Sequence, residues 1–142
     1  MNLSYLTKTN QLRLREVNKE RIKSMLKFAE TNAKIILNLE LNEDSASLIY
    51  RELYESIRQL GDATLWLKGY EPLNHDVSME ALKEIDIKNK LLLNHLTRFK
   101  TTRHDINYRG VRASIKQAEE IIDFWKKCCL EIAGKLNKEL GS

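Results

Sequence analysis

Between Arg98 and Gly110 the chain reads Arg98-Phe-Lys-Thr-Thr-Arg103-His104-Asp-Ile-Asn107-Tyr108-Arg109-Gly110, which gathers guanidinium, imidazole, amide and phenol groups in one short stretch. Together these groups can grip a phosphodiester. Arginine offers a fixed fork of donors to phosphate oxygens and to the charge that builds at phosphorus in a transition state, the task of Arg103 or Arg98. His104 is the one side chain of the segment that exchanges a proton near neutral pH, so it is the natural general base for a ribose 2′-hydroxyl. Asn107 can hold a phosphate oxygen or orient the nucleophile, and Tyr108 can donate a hydrogen bond or stack on a base. Arg109 and Arg112 add donors for the substrate backbone. Such chemistry requires no metal and no other cofactor.

The same segment carries much of the charge. From Arg98 to Lys116 six cations stand against one acid, Asp105, while the whole chain has a net charge of +4, which leaves the remainder at −1. A chain read in this way has one expected anion site, whose ligand would be RNA or a nucleotide. A second reading accounts for the same residues: cations in the last turn of a helix are favoured by the helix dipole and are commonly solvated. Residue types alone do not separate the two.

The length of 142 residues allows one domain, spanning 1–142, with a single core. A hydrophobic content of 42% beside 31% charged residues fits a soluble globular chain, and no apolar run approaches the roughly 18 residues of a membrane span. The expected location is the cytoplasm, with no membrane partner. Cys128 and Cys129 are adjacent, a poor geometry for an ordinary disulfide, and read as reduced core residues. The histidines at 75, 95 and 104 form no metal-ligand cluster with them.

The elements that must position the segment follow from apolar spacing. Ile22, Leu26, Ala29, Ala33 and Ile36 mark a helix over about Lys8–Leu39, broken near its start. After the turn chemistry of Asn42–Ser45, a second helix over about 45–68 carries Ile49, Leu53, Ile57, Leu60 and Leu67 and stops at Gly69. The only proline, Pro72, falls in the following loop. A third helix starts near Ser78 and ends either at Thr101-Thr102 or at Gly110. A fourth carries Val111, Ile115, Ala118, Ile122, Trp125, Cys129, Ile132 and Leu136. Without sustained period-two alternation the fold class is all-α, and a four-helix up-down bundle is the simplest architecture. Ile121, Phe124 and Cys128 widen the last stripe, which suggests either a homodimer or a central helix.

In this order the motifs resemble the HEPN family of small all-α domains. The resemblance rests on Glu20-Arg-Ile-Lys-Ser-Met-Leu-Lys-Phe-Ala29, on Tyr50-Arg-Glu-Leu-Tyr54-Glu-Ser-Ile-Arg-Gln-Leu60 ending Leu67-Lys-Gly69-Tyr70, on Asn74-His75, and on the basic motif. It implies a homodimer in which two copies of the motif face one another and, in active members, a metal-independent ribonuclease. It also implies a polar residue of the second helix facing the motif, here Glu55, for which a solvated surface position is the alternative. The family signature is an Arg, usually followed by Asn, His or Asp, with a His four to six residues beyond the Arg. Arg103-His104 matches its opening, but Tyr108 stands where the His is expected, and a phenol titrating near 10 is a poor base at neutral pH. A second register, Arg98 to His104, keeps the spacing while placing the two residues about 240° apart on a straight helix. The resemblance therefore supports a nuclease with His104 as base or, alternatively, a non-catalytic module such as the partner of a nucleotidyltransferase. His75 and His95 read as solvated or packed histidines, and Tyr50, Tyr54, Trp66 and Trp125 as core or interface aromatics.

Overall fold

The computed structural model describes residues 1–141. Along the chain lie α1 (Leu3–Lys8), β1 (Leu12–Leu14), α2 (Lys19–Leu37), α3 (Ala46–Leu67), β2 (Tyr70–Pro72) and α4 (His75–Lys83). A 3-10 helix (Lys90–His95) then runs directly into α5 (Leu96–Tyr108), and α6 (Ile115–Phe124) continues through a π-helical turn (Trp125–Cys129) into α7 (Leu130–Leu140). The domain is mostly helical. No helix among the described residues is long and apolar enough to cross a membrane.

α3 is the element around which the others pack. It is buried from Ala46 to Trp66 on most of its circumference and meets α2, α4, α5, α6 and α7. α2 lies against it through the expected stripe of Ile22, Leu26, Ala29, Ala33 and Ile36, and starts where the Asn18 side chain accepts the Arg21 N–H. α5 is anchored by two residues, Leu96 and Phe99. The Phe99 ring meets Tyr50, His95 and Phe124 edge-on at 6.2, 6.2 and 5.1 Å between centroids.

The fold departs from the all-α expectation at both ends of the ribbon. The single helix expected from Lys8 to Leu39 is divided, because Asn10 adopts a positive φ of 60° and β1 follows it. β1 pairs antiparallel with β2, Leu12 facing Pro72 and Leu14 facing Tyr70. Pro72 is thus in a strand rather than a loop, tolerated in a ribbon whose strands each have one partner. The third helix also divides. α4 starts earlier than expected, at His75, because Asn74 caps it by accepting the Val77 N–H. It ends at Lys83 because the connection turns inward, burying Ile87 while the Lys88 N–H bonds to the Glu131 carboxylate at 3.0 Å.

α5 passes through Thr101-Thr102 without a break; the Thr101 hydroxyl bonds back to the Thr97 carbonyl at 3.3 Å. It stops at Gly110, whose φ of 66° lets the Val111 N–H return to the Asp105 carbonyl. The last helix begins at Ile115 rather than Val111, set by a reciprocal capping box between Ser114 and Gln117. Ile121, Phe124 and Cys128 are buried within this chain's own core. The π-helical turn brings Trp125, Cys128 and Cys129 inward together, so the wide stripe marks a central helix and gives no ground for a dimer.

Where α3 crosses α4, Gly61 lies so close to Ser78 that an added Cβ would sit 2.2 Å from the Ser78 carbonyl oxygen. Gly61→Ala must therefore push the helices apart, and urea denaturation is expected to show a loss of about 2–3 kcal/mol. Gly134→Ala on α7, with nothing within 4 Å of the new Cβ, serves as the control and should be neutral or slightly stabilising.

Candidate functional site

The basic segment folds into a surface that is partly neutralised by its own neighbours. Arg98 is tied to Glu120 of α6 through two hydrogen bonds, at 2.6 and 3.1 Å. Lys100 pairs with Asp76 at 2.9 Å, and Arg109 with Asp105 at 3.7 Å. Arg112 donates to the Glu43 carbonyl at 2.7 Å and to Asp44 at 3.1 Å. Among the described residues, Arg103 and Lys116 are the cations of this segment left without an acidic partner.

Arg103 is half-buried, its guanidinium lying over the Tyr54 ring at 5.5 Å from the centroid, a cation–π contact that holds the group without consuming its donors. Asn107, one turn further along α5, is exposed on the neighbouring side. His104 and Tyr108 form the next pair, with rings 4.9 Å apart, and both are exposed. Because α5 is continuous, Arg98 and His104 stand about 240° apart. With Arg98 held by Glu120, these two do not meet within one chain.

Opposite Arg103, α3 presents a linked set of charges. Arg58 Nε donates to Glu55 at 3.1 Å and its Nη2 meets the other oxygen of that carboxylate, while Nη1 reaches Asp62 at 2.7 Å. The Ser78 hydroxyl of α4 closes the chain by donating to Asp62. Glu55 is half-buried, and burial pushes its carboxyl up, yet the Arg58 hydrogen bond and the charges of Arg58, His75 and Arg103 together hold it below the ordinary value. For Asp62 the balance is reversed: burial outweighs Ser78 and Arg58 and raises its carboxyl. Burial likewise raises the Tyr54 hydroxyl, with Arg103 opposing. The Tyr50 hydroxyl, 3.5 Å from the Phe99 carbonyl, is pushed far up by burial.

Glu55 therefore does lie on the side of α3 that faces the motif. Sequence reasoning missed Arg58, Asp62 and Ser78, and treated His75 as a solvated loop residue. His75 is the first residue of α4 and acts electrostatically on Glu55; the signal available in the sequence was Asn74 three residues before Val77, a cap marking a helix start. His95 packs edge-on against Phe99. Cys128 and Cys129 are free and buried; burial, with Glu131 and Asp123, raises the Cys128 thiol to about 11, and Cys129 is raised well above its ordinary value. Among the described residues no group of three or more His, Cys, Asp and Glu side chains could hold a metal ion.

What fold and cleft together define is a small helical domain with a mixed-charge cleft between α3, α4 and α5, in which one guanidinium is presented on an aromatic ring. The chain matches no protein-family model, no curated protein and no solved structure.

The two carboxyls give opposite pH dependences. Glu55, lowered on folding, contributes stability that is present above its ordinary value of 4.5 and is lost as pH falls through its folded value. Asp62, raised on folding, contributes stability that is full below 3.8 and is lost as pH rises through its folded value. Urea midpoints across the acid range should therefore fall less steeply on acidification for Glu55→Gln than for the parent, and more steeply for Asp62→Asn.

Proposed function

We propose that this chain is a HEPN-like, RNA-interacting protein that acts as a homodimer, and that its sharpest activity is metal-independent endoribonuclease cleavage. The observation that carries the reading is Arg103. Among the described residues it is the guanidinium of the motif with no acidic partner, it is fixed on Tyr54 opposite Glu55 and Arg58, and it adjoins His104 and Asn107 on a continuous helix.

In the proposed reaction His104 takes the proton of a ribose 2′-hydroxyl, the 2′-oxygen bonds to phosphorus and the P–O5′ bond breaks. The products are a 2′,3′-cyclic phosphate and a 5′-hydroxyl, whose proton comes from solvent. Arg103 stabilises the charge at phosphorus, while Asn107 and Tyr108 position the backbone and the base. Tyr108, Val111 and Ile115 are exposed large apolar residues at the end of α5 and the start of α6. Their loop is stitched to the start of α3, near exposed Leu48, by Ala113 N–H to Ser47 at 2.9 Å. A second copy on this surface would bring its motif toward the first.

One observation favours a second reading, the non-catalytic module or nucleotidyltransferase partner. No carboxylate orients His104, whose ring rests on Tyr108, and Arg103 and His104 leave α5 about 100° apart.

The test is incubation of the pure protein with single-stranded and structured RNA in EDTA. Cleavage is expected from the parent, falling about a hundredfold or more in Arg103→Ala and in His104→Ala. Arg98→Ala, which releases Glu120, should leave cleavage largely intact. Cleavage untouched by the Arg103 and His104 substitutions would overturn the nuclease, and absence of cleavage with retained RNA binding would support the module.

A further inference from the structure

The charge of this chain is not confined to one segment. From Lys8 to Lys34 eight cations face three acids, a net +5 equal to that of the α5 region, so the remaining residues are strongly acidic. The two basic regions differ in the fold. Near α5, four of six cations have acidic partners or share one; on the outer face of α2, Lys23, Lys27 and Lys34 have none among the described residues.

The reason lies in where the nearby acids are used. Glu30, beside these lysines in sequence, accepts from the Asn137 amide of α7 at 2.9 Å. Glu20 stands in the first turn of α2, where the helix dipole favours it. At about 100° per residue, Lys23, Lys27 and Lys34 fall within a strip some 40° wide, roughly 6 Å and 10 Å apart along the axis. Lys27 is followed by Phe28, whose ring is 60% exposed, and Lys34 by the equally exposed Ile35. At the start of the same helix the Arg21 guanidinium lies 4.6 Å from the centroid of the Trp66 ring.

A line of unneutralised ammonium groups beside an exposed aromatic ring is the combination that tracks a single-stranded polynucleotide: point charges meet successive phosphates and the ring takes a base. We propose that the outer face of α2 is a second binding surface, separate from the Arg103 cleft, for the backbone of single-stranded RNA. The polymer is taken from the reading of the Arg103 site; the surface itself rests on α2 alone. An acidic protein segment would meet the same lysines but has no base for Phe28.

The experiment measures binding of a fluorescein-labelled oligouridylate by anisotropy over a salt series, for the parent, Lys23→Gln/Lys27→Gln/Lys34→Gln, Phe28→Ala and Arg103→Ala. The triple variant should bind roughly tenfold or more weakly at low salt, with a log–log salt slope shallower by about two. Phe28→Ala should weaken binding about fivefold or more at unchanged slope. Far-UV dichroism and urea midpoints equal to the parent's confirm that exposed positions were changed without loss of the fold. An unchanged affinity and slope in the triple variant overturns the α2 surface, and polyglutamate competing as well as unlabelled oligouridylate overturns the choice of RNA. Cleavage lost in Arg103→Ala with binding retained leaves this surface standing, whereas cleavage with normal binding by the triple variant leaves only the Arg103 site. Binding with no cleavage by the parent overturns the nuclease and not the surface.

Discussion

The contact on which the cleft depends is the approach of α4 to α3 at Gly61. Only a residue without a side chain lets the Ser78 backbone come this near, and the same approach brings the Ser78 hydroxyl onto Asp62. Asp62 then holds Arg58, and Arg58 holds Glu55, so a backbone fit in the interior is relayed one residue at a time to the charged rim. With α4 pressed against α3, His75 and Asp76 at its start stand beside the cleft, and Asp76 reaches Lys100 across it. The chain of hydrogen bonds leaves each buried partner satisfied, which is the condition for burying charge at moderate cost.

Charge on this protein is governed by pairing more than by count. The segment that dominates the sequence gives up Arg98, Lys100, Arg109 and Arg112 to nearby oxygens, and what remains prominent is a guanidinium on a tyrosine ring. α2, unremarked in a sum over the whole chain, keeps its lysines free because Glu30 is engaged elsewhere. A net charge describes what a chain carries, while the fold decides which part of it faces outward unspent.

Periodicity made α2, α3 and the last helix legible, since each repeats apolar residues at helical spacing over several turns. It failed where structure is set by partners distant in sequence. Leu12–Leu14 becomes a strand only because Tyr70–Pro72 lies beside it, and three residues are too few for an alternation to register. The break between α4 and α5 depends on Ile87 finding the core and on Glu131 receiving the Lys88 N–H, neither of which is a local signal. At the cleft, Arg103, Glu55 and the continuity of α5 could be anticipated from residue types and spacing. Arg58, Asp62, Ser78 and His75 could not, because their significance comes from helices meeting side by side.

The π-helical turn at Trp125–Cys129 turns two neighbouring thiols toward the interior, a placement that a regular turn gives to one of a pair more readily than to both. Its consequence concerns oxidation. Both thiols are kept in the protonated, unreactive form by the apolar surroundings that bury them. The densest sulfur in the chain therefore contributes volume to the core and remains silent to the redox state of its surroundings.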